Sequence, residues 1–449
     1  MNIRCLPLCV GALLFAGSSA VAAPQDSQPT GIPAATFAAP PAMERLQLSP
    51  DGTKLAGKML VAGKQRFVVV TLTGSGGVAT FGQDDVDVNW WRWVNDNWLA
   101  VGLGTTKLWY GQDLYLTRLA GFSADLKTIN PIDWEHSGQD ADDLLWVARD
   151  GSARIRFAKM TGFDKIEDWE PSVFEADVAT AKIKLLIGAR DDIYRWRADG
   201  NGQIRFAQAY RSMTKTWSAF YRDDDRSPFI RLADSDDPLK AIPTPLVFGP
   251  GKTAYAIGPV NGFDQLYEMA LPTFKPGKTL HAVPGYDVDS IYTNDTRDGL
   301  LGVGFYEAGE RQAWFDPQLV ELQRDFDKAL GTGNASILSW SRDRRKYVVR
   351  VGGAAQAGGM YFYDTAVGSL KLLGWTNPAL RNTMLSPVST VRYKARDGTP
   401  IEAVLTLPRG RAASKLPLIV LPHGGPHVRD WENFDWWAQY LAEQGYAVI

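Results

Sequence analysis

Short apolar runs rich in β-branched and aromatic residues recur along most of this chain, and polar turns separate them. The runs begin at Arg66, Asp113, Ala153, Gln203, Gln265, Lys346 and Met360. Turn signals include LSPDG at Leu48, WVNDN at Trp93 and WSRDR at Trp340. Runs of this composition, with turns roughly every ten residues, are typical of antiparallel strands. The turns return about every 45 to 55 residues, which is close to the repeat of four-stranded propeller blades.

This pattern continues from Met43 to residue 386. About 340 residues at roughly 50 per repeat predict an all-β propeller of about seven blades over residues 43–386. A pair of β-sandwiches is the alternative architecture for this region. Few windows show the period of an amphipathic helix.

A cluster of tryptophans in the segment DVNWWRWVNDNWLAVG has two interpretations. Its members are Trp90, Trp91, Trp93 and Trp98. They resemble a stacking platform for sugars or bases, but alternating aromatic residues in strands more often fill the space between packed sheets. We therefore expect core packing.

The pattern changes at Pro387. The segment VSTVRYKARDGTPIEAVLTLPRG predicts two strands joined by a hairpin turn at Arg396-Asp397-Gly398. Its apolar residues alternate, as strands with one buried face require; they are Val391, Tyr393, Ile401, Ala403, Leu405 and Leu407. LPLIVLP, from Leu416, is a continuous apolar run, which predicts a strand buried on both faces.

A helix is predicted after this strand. Asp430 is placed to cap it and Gly445 to end it. The apolar positions have helical spacing, and they are Phe434, Trp437, Ala438 and Leu441. YAVI, from Tyr446, predicts the next strand. Strand, loop, helix and strand form a βαβ crossover, so residues 387–449 are expected to begin a parallel α/β sheet.

The first residues carry one basic side chain and a short apolar run, and they end in Ala20-Val21-Ala22. This is the pattern of a secretory signal peptide. We predict a signal peptide over residues 1–22, an extended lead-in over residues 23–42, and a periplasmic or secreted protein that leaves the membrane after cleavage. An uncleaved anchor is the alternative, but the run is shorter than the roughly 20 residues that span a bilayer.

Composition argues against several kinds of site. Cys5 and Cys9 both lie in the predicted signal peptide and the four histidines are widely spread, so no metal is expected. A formal net charge of -2 with scattered basic residues gives no electrostatic case for nucleic acid. GPGKT at Gly249 lacks the first glycine of a phosphate loop, and the acidic runs at Arg222 and Ala233 lack calcium-loop spacing. No cofactor is expected, and the oligomeric state is open.

The loop His423-Gly424-Gly425-Pro426 is the candidate functional segment. It follows a predicted buried strand, and its glycines let the backbone approach a developing oxyanion, where one aligned N–H donor is worth about 3 to 4 kcal/mol. His423 is either a general base or a brace for the loop, and we favour the brace. His427 is expected at the rim of the site.

From Val391 onward the chain resembles the peptidase domain of the prolyl oligopeptidase family, in its acylaminoacyl-peptidase and dipeptidyl-peptidase-like branch. The matching features occur in order: the hairpin at Arg396, Leu407-Pro408, the loop from His423 to Pro426, and the strand from Gly445. The resemblance implies an α/β-hydrolase domain, a propeller over the active site, and a serine peptidase acting on short peptides. Pro426 favours this family over lipase-like esterases, which more often have a third glycine there.

The resemblance also implies that the catalytic residues lie beyond Ile449. The family's nucleophile occurs in a G-x-S-x-G turn, with Asp and then His following it. GFSAD at Gly121 lacks the second glycine of that turn, and TGSGG at Thr73 lacks the first. No catalytic residue is therefore assigned in this chain, and residues 1–449 alone are expected to be inactive. The alternatives are a non-catalytic propeller that binds peptides or proteins, and a carboxylesterase of the same fold.

Overall fold

The structure, a computed structural model, describes residues 31–74, 76–237, 243–425 and 428–449. In these ranges the chain is mostly β-sheet with few helices, and its strands form eight sheets. The predicted signal peptide, with both cysteines, lies outside the described residues. No helix within them is long and apolar enough to cross a membrane.

The first three sheets each contain four strands, paired in chain order. The first comprises β1 (Met43–Leu48), β2 (Lys54–Val61), β3 (Lys64–Thr71) and β4 (Gly77–Phe81). The second comprises β5 (Asp87–Trp93), β6 (Trp98–Trp109), β7 (Gln112–Ser123) and β8 (Ile129–Pro131). The third comprises β9 (Asp143–Val147), β10 (Arg154–Lys159), β11 (Ser172–Asp177) and β12 (Lys182–Ile187).

The next four sheets continue the same order, and the sixth sheet has three strands. The fourth comprises β13 (Ile193–Ala198), β14 (Ile204–Arg211), β15 (Thr216–Tyr221) and β16 (Ile230–Ser235). The fifth comprises β17 (Val247–Phe248), β18 (Thr253–Val260), β19 (Phe263–Ala270) and β20 (Lys275–His281). The sixth comprises β21 (Val288–Thr293), β22 (Leu300–Tyr306) and β23 (Glu310–Trp314). The seventh comprises β24 (Ala335–Trp340), β25 (Lys346–Val351), β26 (Gly359–Asp364) and β27 (Ser369–Trp375).

The eighth sheet differs in its order, β28-β29-β31-β30. Its strands are β28 (Val388–Lys394), β29 (Pro400–Thr406), β30 (Leu418–Ile419) and β31 (Ala447–Val448). Among the described residues the α-helices are α1 (Ala34–Phe37), α2 (Pro317–Leu330) and α3 (Trp436–Glu443), and 3-10 turns cover Trp134–His136, Ile166–Trp169 and Pro378–Leu380.

All seven predicted strand runs lie in strands, namely β3, β7, β10, β14, β19, β25 and β26. Sheets two to five and seven are antiparallel throughout. Each pairs strands that are neighbours in sequence, so short turns are sufficient to build it.

One turn recurs with the same chemistry at residues 49–54, 123–128 and 341–346. In each, a serine hydroxyl donates to the aspartate two residues later, over 2.5 to 2.7 Å. The same serine oxygen accepts from the backbone N–H five residues later, over 2.9 to 3.1 Å. These side chains satisfy backbone groups that a tight turn leaves unpaired. Two of the turn signals of the sequence, LSPDG and WSRDR, thus have a common physical basis.

The chain divides into two compact units. The first unit contains Gly57–Gln65 and Gly304–Ile449 together with the chain up to Gln47, and the second contains Leu48–Ala56 and Arg66–Val303. In the second unit, successive sheets share apolar clusters; one cluster joins Leu119 of β7 to Ile155 of β10, and another joins Leu145 of β9 to Trp196 of β13.

The tryptophans at 90–98 confirm the expectation of core packing. Trp91 and Trp93 are buried in one cluster of the second unit, and Trp90 and Trp98 pack against another. Trp90 also donates its indole N–H to Asp142 over 2.7 Å. Side chains held in this way do not form an open stacking platform.

Helix α2 was not predicted, although the sequence carries its signals. Asp316 caps it by accepting from the backbone N–H of Leu319 over 3.2 Å, and Pro317 is at the first position. Leu319, Leu322 and Phe326 are buried along one face. The apolar residues of α2 have ordinary helical spacing. The helix was missed because the segments on both sides of it have strand-like patterns.

Candidate functional site

The candidate loop begins where β30 ends, and the predicted crossover is present around it. Strands β30 and β31 are parallel, with Leu418 opposite Ala447 and Ile419 opposite Val448. Leu421 continues the ladder by donating its N–H to Ile449 over 2.7 Å. Helix α3 connects the two strands, so the chain makes one βαβ unit.

His423 is exposed and contacts its own loop. Its Nδ1 lies 2.7 Å from the carbonyl oxygen of Gly424. A carbonyl can only accept, so Nδ1 carries the proton and donates in this contact. This agrees with the predicted bracing role, and the contact lies within the loop itself.

Gly424 and Gly425 have the backbone freedom that the loop was predicted to need. Gly425 has a φ of 121°, which side-chain-bearing residues rarely adopt. A Cβ placed on Gly424 would meet no atom within 4 Å. Packing within the described residues therefore does not require glycine at 424. Pro426 and His427 lie outside the described residues.

The segment that follows the loop is held by Arg429. Its guanidinium donates to the carbonyl oxygens of Tyr306 and Glu307 over 3.2 and 3.1 Å. It also forms an ion pair with Glu402, with 2.7 Å between Nη2 and Oε1. One side chain thus ties this segment both to the turn after β22 and to β29.

Glu432 and Trp431 make further contacts that hold the segment after the loop. Glu432 donates its backbone N–H to Ala308 over 2.6 Å, and its carboxylate accepts from the backbone and hydroxyl of Thr390 over 2.6 and 2.7 Å. The ring of Trp431 lies 4.3 Å from that of Tyr306. The loop is therefore followed by a stretch fixed at several points, which favours a defined loop position.

The cap and face of α3 differ from the prediction. Asp435, not Asp430, caps the helix, and its carboxylate accepts from the N–H of Ala438 over 2.9 Å. The helix starts at Trp436, which leaves Phe434 outside it, whereas its end beside Gly445 with a φ of 97° agrees with the prediction. The start is displaced because residues 428–432 are bound elsewhere and cannot enter the helix.

Gln439 is a buried polar residue of α3 that the sequence did not reveal. Its amide accepts from the N–H of Ser386 over 2.8 Å and donates to the carbonyl of the same residue over 2.9 Å. It therefore satisfies both backbone groups of Ser386, just before β28 begins. A glutamine between apolar residues gives no sequence signal for this role.

The expectation that the run from Leu416 is buried on both faces is wrong for the described residues. Leu418 is 58% exposed and Val420 is 67% exposed. Val428, Trp436 and Trp437 are also exposed. Strand β30 is at the edge of the sheet, so no strand covers its free side. We call these five residues the exposed apolar residues of the C-terminal region.

The hairpin before β30 was predicted correctly. Val391 is opposite Ala403 and Tyr393 is opposite Ile401 in the antiparallel pair β28–β29. At the turn, Asp397 accepts from the N–H of Thr399 over 2.9 Å, and Gly398 has a φ of 86°. The turn residues have the conformations that their sequence demands.

The acidic run that starts at Arg222 forms a turn, whereas residues 233–235 of the second run lie in β16. Asp224 accepts from the backbone N–H of Arg226 over 2.8 Å, and Asp225 pairs with Arg222 and Arg156. The described residues contain no group of three metal-ligating side chains.

Comparison with known proteins identifies relatives of the chain. Over 306 residues it is 33% identical to dipeptidyl aminopeptidase BIII of Pseudoxanthomonas mexicana, an alignment that covers 64% of this chain and 42% of that protein. A puromycin-hydrolysing peptidase of Mycobacterium tuberculosis has a similar structure, with a TM-score of 0.60 and 17% identity over 95% of this chain and 68% of the other. A prolyl endopeptidase also has a TM-score of 0.60, with 13% identity over 92% of this chain and 62% of the other. These relatives and structural neighbours are peptidases of the prolyl oligopeptidase family, which supports the predicted family.

No model of a known protein family matches the chain. The chain spans less than half the length of the curated prolyl-oligopeptidase relatives that it matches. Its similarity to the solved structures, at this low identity, is a similarity of fold.

Proposed function

We propose that this chain is the N-terminal portion of an exported serine peptidase that hydrolyses short peptides, of the oligopeptidase, dipeptidyl-peptidase or acylaminoacyl-peptidase type. The seven sheets between Met43 and Trp375 are its propeller blades, and residues 387–449 begin its α/β-hydrolase domain. The observation that carries the proposal is the His423–Gly425 loop, which follows a parallel strand and has open space at Gly424.

The chemistry follows from that loop. Acyl transfer by a serine nucleophile develops negative charge on the substrate carbonyl oxygen, and backbone N–H groups stabilise it. Glycines place such donors close to the substrate because no side chain intervenes. His423, which donates within its own loop, helps to hold this backbone, while Arg429 and Glu432 hold the segment behind it.

The exposed apolar residues of the C-terminal region fit the same proposal. A parallel sheet is normally covered on both faces and continued by further strands. The aligned relative is more than twice as long as the part that this chain matches, so its sequence has room for such elements. We propose that the rest of the hydrolase domain covers Leu418 and Val420, and that residues 1–449 alone are inactive and poorly soluble.

The activity is tested with the product of the complete reading frame. A fluorophosphonate probe should label one serine outside residues 1–449, and the protein should release p-nitroaniline from peptide substrates. Dipeptidyl, acylated and internal-proline substrates would separate the three peptidase types. Absence of labelling would indicate a non-catalytic propeller, and ester turnover without peptide turnover would indicate a carboxylesterase.

The loop is tested in the same protein by Gly425→Ala, because alanine is strained at a φ of 121°. We expect kcat to fall about 10²- to 10³-fold, the loss expected for one misplaced oxyanion donor. Gly398→Ala is the matched control, since it also replaces a positive-φ glycine in an open turn. Equal losses in the two variants would contradict the role of the loop.

Export is tested by N-terminal sequencing of the mature protein from the periplasm or medium. A start near residue 23 is expected, because cleavage should follow Ala20-Val21-Ala22. A mature protein that keeps residues 1–22 would contradict the predicted signal peptide.

A further inference from the structure

The residues just before β1 are docked against other parts of the first unit. Asn377 donates its side-chain N–H to the carbonyl oxygen of Thr36 over 2.8 Å, although the two residues are 341 positions apart in the sequence. Ala42 donates its backbone N–H to the carbonyl oxygen of Thr376 over 2.7 Å. We call residues 32–41 the N-terminal strap. It is bound to the segment that follows β27.

Phe37 is the buried anchor of the N-terminal strap. It is 2% exposed and forms an apolar cluster with Leu380 and Leu385, which are also buried. Its ring centroid lies 5.9 Å from that of Tyr440. Three further residues pack against this cluster, namely Ile32, Ala357 and Phe434. A phenylalanine buried in this way removes a large apolar area from water, which makes it the main attachment of the strap.

The groove that receives Phe37 is built from two parts of the chain. Ala357 lies in the loop between β25 and β26, and Leu380 lies in the 3-10 turn after β27. On the other side, Phe434 directly precedes α3 and Tyr440 lies within it. The strap therefore contacts both the end of the seventh sheet and the helix that follows the His423–Gly425 loop.

The strap does not maintain its own conformation. Its helix, α1, has only four residues, and no side chain caps its N-terminus. Helices as short as this are not stable by themselves in water. The sequence of the strap, IPAATFAAPP, contains no charged residue, so burial and hydrogen bonding attach it rather than ion pairs. The conformation of α1 therefore depends on the groove.

Release of the strap would leave the sheets intact. Residues 32–41 precede β1 and contribute no strand to any sheet. Segments of this kind, close to the start of a domain and outside its sheets, open at a low free-energy cost. The bond from Ala42 to Thr376 marks the end of the part that can leave. The strap can thus undock while the rest of the first unit stays folded.

We propose that the N-terminal strap is a releasable clamp that holds α3 against the seventh sheet. When the strap is docked, Phe37 supports the segment that leads from the His423–Gly425 loop into α3. When the strap is released, Phe434 and Tyr440 lose this support. The docking itself is independent of the proposed function. Its effect on catalysis rests on that function, because an oxyanion loop acts only in a fixed position.

Hydrogen exchange tests the docking in the product of the complete reading frame, after the fluorophosphonate probe has blocked its nucleophile. Phe37→Ala should make exchange at the amides of α3 about tenfold faster, because it empties a buried site. Phe37→Leu keeps an apolar anchor and should restore most of the protection. Phe263→Ala is the control, since Phe263 in β19 is 39% exposed. Unchanged exchange of α3 in Phe37→Ala would overturn the clamp.

A peptide supplied in trans tests whether the strap is separable, even where Phe37→Ala destabilises the whole protein. The same protein is made with Ala42 as its first residue, and the peptide has the sequence of residues 31–41. At about 1 mM, similar to the effective concentration of a tethered segment, the peptide should restore the protection of α3. The peptide with Phe37→Ala should not restore it. Rescue by both peptides, or by neither, would overturn the proposal.

Peptidase kinetics of the unblocked protein test the effect on catalysis. Phe37→Ala should lower kcat about tenfold and change KM less than about twofold, because a displaced loop weakens transition-state stabilisation more than substrate binding. Phe37→Leu should restore kcat, and Phe263→Ala should keep the wild-type value. A wild-type kcat in Phe37→Ala, despite faster exchange in α3, would overturn the link to catalysis. Absence of turnover in the wild-type protein would contradict the proposed function instead, and the exchange experiment would still decide the docking.

Discussion

The antiparallel sheets of the second unit and the C-terminal region of residues 387–449 bury their apolar strands to very different extents. In the second unit Leu119 is 0% exposed, whereas Leu418 in β30 is 58% exposed. Antiparallel sheets pair neighbouring strands and pack on the next sheet along the chain. A parallel strand needs cover on both faces from elements that are distant in sequence. Strand pattern alone therefore does not decide burial.

The largest expected difference between the two regions concerns these leucines. Leu119→Ala should lower the free energy of unfolding by about 2 to 5 kcal/mol, because it leaves a cavity in a packed cluster. Leu418→Ala should change it by less than about 0.5 kcal/mol. Urea unfolding followed by tryptophan fluorescence measures both free energies. Similar losses of stability in the two variants would contradict the expected difference between the two regions.

Ion pairs should show the same contrast. Lys159 is 1% exposed and its Nζ lies 2.7 Å from Asp133, so Asp133→Asn leaves a buried ammonium and should cost about 3 kcal/mol. The Arg392–Glu402 pair is largely exposed on the arginine side, so Arg392→Gln should cost less than about 1 kcal/mol. Chemical denaturation at pH 7 compares the variants.

The pair in the second unit should also depend on pH. Burial raises the pKa of Asp133, but hydrogen bonds from Lys159 and His136 outweigh it and lower the pKa below its ordinary value of 3.8. A carboxyl with a lowered pKa stabilises the fold above that value and loses the effect as pH falls through its folded-state pKa. The difference between wild type and Asp133→Asn should therefore shrink below about pH 4. A constant difference down to pH 2 would contradict this.

A smaller effect is expected where Arg429 fastens the C-terminal region. Arg429→Ala removes two bonds to carbonyl groups and one ion pair, so it should cost about 1 to 2 kcal/mol. Hydrogen exchange should then become faster at the amides of residues 428–435. Arg396→Ala, in the exposed hairpin turn, is the control, and equal exchange in both variants would show that Arg429 does not hold this segment.

The smallest effect distinguishes the two candidate caps of α3. Asp435→Ala should cost about 1 kcal/mol, because it removes the acceptor for Ala438. Asp430→Ala should have almost no effect, although the sequence pattern favoured it. Unfolding in urea decides between them, and a larger loss for Asp430 would restore the sequence-based assignment.

Where neighbouring residues make the structure, the sequence was sufficient. The register of β28 and β29 follows from a period-two apolar pattern and a turn of Asp397-Gly398, and all seven strand runs were located correctly. These features depend on local backbone conformation and on strands adjacent in sequence, both of which a linear pattern expresses.

The residues that hold the candidate site could not all be predicted from the sequence pattern. Sequence located His423, Gly424 and Gly425 in a loop after a strand, but it did not identify Arg429, whose partners Tyr306 and Glu307 are more than a hundred residues away. It also missed Gln439, because a buried amide is recognised only by the backbone groups it satisfies.

By itself, then, the sequence determined the strands, the turns, the crossover and the glycine loop, since local sterics and residue periodicity dictate them. Only the tertiary structure decided that β30 is exposed and that Asp435 is the cap. Burial and electrostatic environment depend on which distant segments pack nearby, and a one-dimensional pattern does not contain that information.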